Sequence, residues 1–295
     1  MVKKIAVIGM GVWGKKLIHE FSKIAEIKYS HSLGDRKNIS WLHKNHPEIR
    51  YTNNINVILE DKEIEAVVIA VPIKSHYEIA LKSLIAGKDV FIEKPLAENY
   101  SDGKKLVTLA KKKHLLLFVG HIFLYHPIIE KIKKIIVDEP IIEIFFSWEK
   151  FGSFSENIVQ DLISHQISIF LDIIGYPKKI VVIEKKGFFT DVDQLFLLVS
   201  FKNNITCRIY VNRISNQKRR SVTLITKKNL YLWENELLFK CNSKTNGYKK
   251  IFEAKKTSLE IECNKFIHKS KYDVYDKIDI ALKVLKLVSK IRMNL

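Results

Sequence analysis

Glu93, Lys94 and Pro95 follow directly on the apolar run Val90-Phe91-Ile92, so a carboxylate and an ammonium leave a buried strand together. Proline cannot donate to a sheet ladder and biases the residue before it away from helical angles. The sequence therefore predicts Lys94 held extended at the carboxyl end of a strand, the end where open α/β sheets bind ligands. A second pair that could do chemistry is Asp161 and His165, four residues apart. On an α-helix that spacing puts both side chains on one face, where a carboxylate can orient an imidazole and stabilise its protonated form for general acid/base work. A third group is Gly9-x-Gly11-x-x-Gly14. Its first glycine permits a tight turn, its second lets a pyrophosphate approach the backbone, and its third lets helix and strand pack closely.

The elements needed to position these groups can be read from the hydrophobic pattern. Lys4 to Ile8 is a short apolar run that ends at the glycines, and Leu17, Ile18 and Phe21 then recur at helical spacing. The order strand, glycine turn, helix is the setting a dinucleotide-binding turn requires, with the helix amino terminus facing the phosphates. Glu26 to Ser30 reads as the next strand, Ala66 to Val71 as a fully apolar one, His76 to Ala86 as a helix stopped by Gly87, and Leu115 to Val119 as a further strand. Strands and helices alternate to about residue 121, the pattern of a parallel sheet.

Beyond that point strand-like segments follow one another between Lys179 and Lys240, with helices expected near 127–137, 158–174, 259–268 and 276–291. The expected fold is α/β: an N-terminal Rossmann doubly wound parallel sheet at 1–121, then an α+β domain with a mostly antiparallel open sheet at 122–295. Apolar strand positions Leu195, Leu197, Ile209 and Val211 are either ordinary core or a surface for pairing subunits. The cluster Lys218-Arg219-Arg220 reads as a hairpin turn with solvated charges.

An acidic residue usually ends the second strand and accepts hydrogen bonds from the adenosine ribose. Here the position is Ser32, in Ser32-Leu33-Gly34-Asp35-Arg36-Lys37. A small hydroxyl with Arg36 and Lys37 nearby suits a 2′-phosphate, whereas Asp35 could restore the ribose contact, so NAD and NADP both stay open.

With 50 Lys and Arg against 32 Asp and Glu, the formal charge is +18. The lysines are scattered over predicted helix faces, so the charge argues for long-range attraction of anionic small molecules and against a nucleic-acid stripe. Cys207, Cys241 and Cys263 lack metal-ligand or redox spacing, and buried, inert thiols are expected. No apolar run approaches the ~20 residues that span a bilayer. A cytoplasmic protein with neither membrane nor metal is expected.

Taken together, the chain resembles the Gfo/Idh/MocA family of NAD(P)-dependent oxidoreductases. The resemblance runs through Gly9-Met10-Gly11-Val12-Trp13-Gly14, Val71-Pro72-Ile73-Lys74-Ser75-His76, Gly87-Lys88-Asp89-Val90-Phe91-Ile92-Glu93-Lys94-Pro95, Gly120-His121 to Pro127, and Asp161-Leu162-Ile163-Ser164-His165. It departs from the common pattern at Ser32, His126 and Gln166. The resemblance implies that Lys94 lies beside the nicotinamide and the reacting hydroxyl, with His165 as acid/base and Asp161 orienting it or binding a neighbouring hydroxyl. It implies that Glu93, Val71, Pro72 and His76 line the cofactor cleft, that Val12 and Trp13 offer backbone around the pyrophosphate, and that His121 and Tyr125 face nicotinamide or substrate.

The activity so implied is hydride transfer between nicotinamide and a carbinol carbon of a sugar, polyol or nucleotide-linked sugar, in homodimers or homotetramers formed through the C-terminal sheet. The competing expectation is a catalytically silent dinucleotide-binding sensor.

Overall fold

Apolar runs in the first part of the chain become a six-stranded parallel sheet in the computed structural model, which describes residues 2–152, 154–242, 244, 247–268 and 275–295. The order along the chain is β1 (Lys4–Ile8), α1 (Val12–Phe21), β2 (Glu26–His31), α2 (Arg36–Asn45), β3 (Arg50–Thr52), α3 (Asn56–Glu60), β4 (Ala66–Ile69), α4 (His76–Ile85), β5 (Asp89–Glu93), α5 (Tyr100–Lys112) and β6 (Leu117–Gly120). The later residues form α6 (Pro127–Asp138), β7 (Ile141–Phe151), a π-helical turn (Val159–Ile163), α7 (Ser164–Ile173), β8 (Lys179–Lys186), β9 (Gln194–Ser200), β10 (Thr206–Asn212), β11 (Ile214–Thr226), β12 (Leu230–Glu234), β13 (Leu237–Asn242) and β14 (Gly247–Glu253). Helices α8 (Ser258–His268) and α9 (Tyr275–Met293) follow.

Two compact units result. One holds Met1–Ile122 with Leu259–Leu285, the other Phe123–Ser258 with Lys286–Leu295.

In the first unit the strand order is β3-β2-β1-β4-β5-β6. The chain reverses direction across the sheet between β1 and β4, so their carboxyl ends flank the switch point where such sheets bind ligands. Both faces of the sheet are covered, which is why its central strands carry the uninterrupted apolar runs 5–8, 66–69 and 90–92. On one face Ala6, Ile8, Val67, Ile69, Val90, Ile92, Leu117 and Val119, each at most 6% exposed, join Leu84, Leu106 and Leu285 in a buried core. On the other face Phe91 and Phe118 stack at 5.3 Å, and Phe21 from α1 and Phe266 from α8 meet Phe91 edge-on at 5.6 and 5.5 Å. Such ring contacts add about 0.5–1.5 kcal/mol each beyond the area they bury.

The second unit is an eight-stranded sheet ordered β14-β13-β12-β11-β7-β10-β9-β8, with β7 and β10 parallel and the remaining pairs antiparallel. Fold class and strand character are as the pattern predicts.

Two local readings are corrected. Lys218, Arg219 and Arg220 do not turn a hairpin; they lie within the long strand β11, where Arg219 and Arg220 pair with Glu149 and Trp148 of β7. Lys218 and Arg219 are exposed, but Arg220 is half-buried because its guanidinium stacks on aromatic rings from other elements. Leu195, Leu197, Ile209 and Val211 are at most 1% exposed within the single chain, so they are core and offer no surface to a partner. They alternate with outward residues along β9 and β10, as period-two strands must. Of the cysteines, Cys207 and Cys263 are buried and Cys241 is half-buried.

Candidate active site

The glycine turn sits at the carboxyl end of β1, and each glycine has a separate reason to be there. Gly9 has φ 106°, and a Cβ on it would overlap the Ala70 carbonyl oxygen just beyond β4. A Cβ on Gly14 would overlap the Gly9 carbonyl oxygen, so this glycine lets α1 close onto its own strand. A Cβ on Gly11 would meet nothing within 4 Å. Gly11 is the N-cap of α1 and no side chain caps it, which leaves the first N–H groups of the helix for an external anion. Val12 and Trp13 stand 76% and 43% exposed beside it. A tight turn, an open approach over Gly11 and uncapped helical N–H groups are what a dinucleotide pyrophosphate requires, so the residues present fit that group.

At the end of β2 the Gly9 N–H donates to the His31 carbonyl at 2.9 Å, which ties the turn to the second strand. The Ser32 hydroxyl is buried and has no hydrogen-bond partner among the described residues. Asp35 is not idle: its carboxylate caps α2, accepting from the Lys37 and Asn38 N–H groups at 2.8 and 3.3 Å. An Asx cap of this kind is a structural use of the side chain.

The run that opens Gly87-Lys88-Asp89 and closes Glu93-Lys94-Pro95 divides between the two ends of β5. Lys88 donates to the carbonyls of Asp61 and Ile64 at 2.6 and 2.8 Å, and Asp89 accepts from the Leu116 N–H at 2.9 Å. Those are structural contacts at the amino end. At the carboxyl end the Lys94–Pro95 peptide is cis. His76, at the start of α4, bridges this segment to the end of β4: Nδ1 lies 2.7 Å from the Pro95 carbonyl and Nε2 2.9 Å from the Val71 carbonyl. A neutral imidazole has one N–H and can donate to only one of these oxygens at a time. Val71 is half-buried, and Pro72 and the Lys74 beside it are exposed.

Glu93 pairs in register with Gly120 of β6. A Cβ on Gly120 would come within 3.3 Å of the Glu93 carboxyl, so the missing side chain makes the room that carboxyl occupies. His121 follows, 1% exposed, its Nδ1 without a hydrogen-bond partner among the described residues. Burial, aided by the Lys94 charge, pushes its pKa down to about 3, so the ring is neutral at physiological pH. Gly9, Gly11, Val12, Trp13, Gly14, Ser32, Val71, Pro72, His76, Glu93, Lys94 and His121 thus all belong to the first unit, at the carboxyl ends of its strands, in the turns that follow them or in the first turn of the next helix.

Tyr125, Asp161 and His165 belong to the second unit. Asp161 lies in the π-helical turn and His165 in the first turn of α7, so the uniform α-helical spacing expected for the pair is interrupted. A π turn is wider than an α turn, and such turns recur at functional sites. The buried Gln166, its amide turned so that nitrogen faces the turn, donates to the Leu162 and Ile163 carbonyls at 2.6 and 3.2 Å. The Asp161 carboxylate is 3.8 Å from the Lys150 ammonium.

His165 is framed by rings, with Phe123 edge-on at 5.0 Å and Trp148 tilted at 5.6 Å. Arg220 covers the same rings, 4.9 Å above Phe123 and 5.8 Å from Trp148. The Trp148 indole N–H is buried with no acceptor among the described residues. His126 caps α6 through Nδ1, which accepts from the Ile128 N–H at 3.2 Å. Burial and the Arg220 charge push its pKa down to about 4. Tyr125 is 4% exposed.

Arg220 was hidden in the sequence because its platform comes from residues far along the chain. The alternation of apolar Val222 and Leu224 with Thr223, just after Arg220, was the available signal of a strand.

Residues 3–121 match the family described as oxidoreductase family, NAD-binding Rossmann fold, Gfo/Idh/MocA. An oxidoreductase of Schizosaccharomyces pombe whose role is uncharacterised is 31% identical over 149 residues, 45% of this chain and 40% of that protein. The UDP-N-acetylglucosamine 3-dehydrogenase of Acidithiobacillus ferrooxidans is 22% identical over 168 residues, 55% of this chain and 53% of that enzyme. These sequence matches span about half the length of the curated relatives. The solved structure of the latter enzyme superposes with a TM-score of 0.89 at 19% identity, covering 99% of this chain and 97% of that one. A 3-ketoreductase from Actinomadura kijaniata, solved with TDP-benzene and NADP, superposes with a TM-score of 0.85 at 14% identity, covering 99% and 98%. At such identities the superpositions speak for the fold. No helix among the described residues is long and apolar enough to cross a membrane. Residues 3–121, with their glycine turn and six-stranded sheet, are thus similar to the NAD-binding Rossmann fold of the Gfo/Idh/MocA oxidoreductase family.

Proposed function

We propose that the protein is an NAD(P)-dependent oxidoreductase acting on a CH–OH group of a sugar, polyol or nucleotide-linked sugar. The observation that carries this reading is the open approach over Gly11 to the uncapped N–H groups of α1, with Glu93 and Lys94 two strands away on the same end of the sheet. When bound, the nicotinamide supplies the hydride chemistry. The protein's own residues bind, orient and handle the proton. The glycine turn and α1 hold the pyrophosphate, with Val12, Trp13, Val71, Pro72 and His76 around the cofactor, and Ser32 toward the adenosine ribose or its phosphate. His121, kept neutral by burial, can offer or accept a hydrogen bond without adding charge.

In this proposal the Lys94 ammonium hydrogen-bonds the substrate oxygen and stabilises charge that develops on it. His165 takes or returns the hydroxyl proton as the general base or acid. Asp161 orients the imidazole or binds an adjacent hydroxyl, and Tyr125 contacts substrate. A nucleotide-linked sugar is the favoured substrate class. Two of the similar proteins are named for such chemistry or were solved with a TDP compound, and the +18 charge attracts diphosphates at long range. Assembly into homodimers or homotetramers through the second unit's sheet is part of the same proposal.

The test is Lys94→Ala, assayed on a panel of sugars and sugar nucleotides with both NAD and NADP. Dinucleotide affinity, read by fluorescence titration, should change little. Turnover should fall by about 10²–10⁴, the range a positioned proton-handling group contributes. Near-normal turnover in the variant would refute the role given to Lys94. Tight dinucleotide binding with no turnover of any compound by the wild type would favour a sensor.

A further inference from the structure

Glu262 is a glutamate on the inward face of α8 that the proposed function does not use. It is 0% exposed, and neither carboxyl oxygen has a hydrogen-bond partner among the described residues. An ionised carboxylate left that way costs several kcal/mol, so such a group keeps its proton or finds one to share.

Its neighbour follows from two periodicities. Side chains four apart on a helix, and two apart on a strand, share a face. Phe266 of α8 packs on Phe91 of β5 at 5.5 Å and on Phe118 of β6 at 5.8 Å. One helical turn back from Phe266 is Glu262, and two residues on from Phe91 is Glu93, the residue for which Gly120 leaves room. The two carboxyls therefore lie over the same patch of sheet, where the Glu93 carboxyl acts electrostatically on Glu262 and both act on the Cys263 thiol.

We propose that Glu93 and Glu262 share a single proton across the back of the sheet, and that Glu262 thereby acts as a positioning residue for the carboxyl beside Lys94. The proton sits on one oxygen of the pair and is donated to the other carboxylate, so the pair carries one negative charge. Other groups face it from each neighbouring element. Lys94 on the strand end and Lys16 on α1 favour ionisation of Glu93, whereas Glu20 on α1 and Cys263 on α8 add to the acidic cluster. Burial outweighs the two lysines and raises Glu93 to about 7, and burial together with Glu93 raises Glu262 well above the usual range. The pairing needs no ligand. Only its consequence, that one carboxylate and no more faces Lys94, rests on the catalytic role proposed above.

The sign of the pH effect is definite. A carboxyl whose pKa is raised in the folded protein stabilises it fully below the unfolded value, ~4.3, and that contribution is lost as pH rises through the folded value. Glu262→Gln keeps the shape and a donor and removes the proton's titration. Thermal melts of the ligand-free protein should show variant and wild type nearly together at about pH 5, with the variant ahead by roughly 2–4 °C at about pH 8.5, the shift expected of ~1 kcal/mol in a chain this size. A difference that is the same at every pH, or a variant that falls behind as pH rises, would overturn the proposal. Infrared spectra of wild type carrying carbon-13 glutamate provide the second measurement, should the variant not fold. A carboxylic-acid carbonyl band that persists at neutral pH is expected, and its absence would count against the pair. Neither measurement depends on turnover, so this proposal and the role of Lys94 can fail separately.

Discussion

Asp193 in the second unit and Glu262 in the first are both 0% exposed, yet their surroundings differ in every respect that matters to a charge. Asp193 Oδ2 accepts from the N–H groups of Phe188, Phe189 and Thr190 at 2.7, 2.6 and 3.0 Å. Its Oδ1 accepts from the Thr190 hydroxyl at 2.7 Å and from the Arg213 Nε at 2.9 Å. Burial alone would raise this carboxyl, but the donors of Thr190, Phe188 and Arg213 outweigh it and hold Asp193 well below the usual carboxylate range. Around Glu262 the described residues form no such cradle. Equal burial thus fixes an anion at one place and an acid at the other, and the number of donors decides which.

That contrast can be broken at several points. The largest effect is expected from Asp193→Asn, which leaves the Arg213 guanidinium, itself 3% exposed, without its anion. Removing one partner of a buried pair costs about 3–5 kcal/mol. Urea denaturation at neutral pH should show that loss, whereas Glu262→Gln should show none; equal losses would erase the distinction. A smaller effect is expected from Gly120→Ala. Its Cβ would stand 3.3 Å from the Glu93 carboxyl and from the Phe91 ring, an overpacking that costs about 1–3 kcal/mol. If its Tm matched wild type, Glu93 would have space to move away, and the tight seating assigned to it would be wrong.

The smallest and most discriminating effect is the pH slope. Asp193 has a depressed pKa, so its contribution is present above ~3.9 and is lost as pH falls through the folded value. The Glu93–Glu262 pair behaves in the opposite sense between ~4.3 and about 7. The stability advantage of wild type over Asp193→Asn should therefore shrink only in acid, while its deficit against Glu262→Gln should open only toward alkali. Parallel slopes for the two variants would mean that the carboxyls are in the same state.

Much of the first unit was legible because its signals are local. Gly9, Gly11 and Gly14 are demanded by a turn a few residues long, and the runs 5–8, 66–69 and 90–92 are apolar because a sheet covered on both sides buries both faces of its central strands. Pro95 marked the end of β5 for the same reason. The second unit was less legible. Arg220 read as part of a solvated turn, because nothing near it in the chain announces the rings of Phe123 and Trp148. Leu195 and Val211 could be core or contact surface, since alternation reveals that a strand has an apolar face but not what covers it. The spacing of Asp161 and His165 suggested an unbroken α-helix, and the π turn at 159–163 lies below what periodicity can resolve.

By itself the sequence determined the class of fold, the glycine turn and the strand end that presents Glu93 and Lys94, since each depends on backbone conformation and hydrophobic pattern over a few residues. Only the tertiary structure decided which carboxyls are anions. Asp193 meets Arg213 twenty residues on, whereas Glu262 comes to lie over Glu93 because a ring at 266 packs on rings at 91 and 118. Charge in a folded protein is set by neighbours in space, and desolvation acts on a carboxyl whatever its place along the chain.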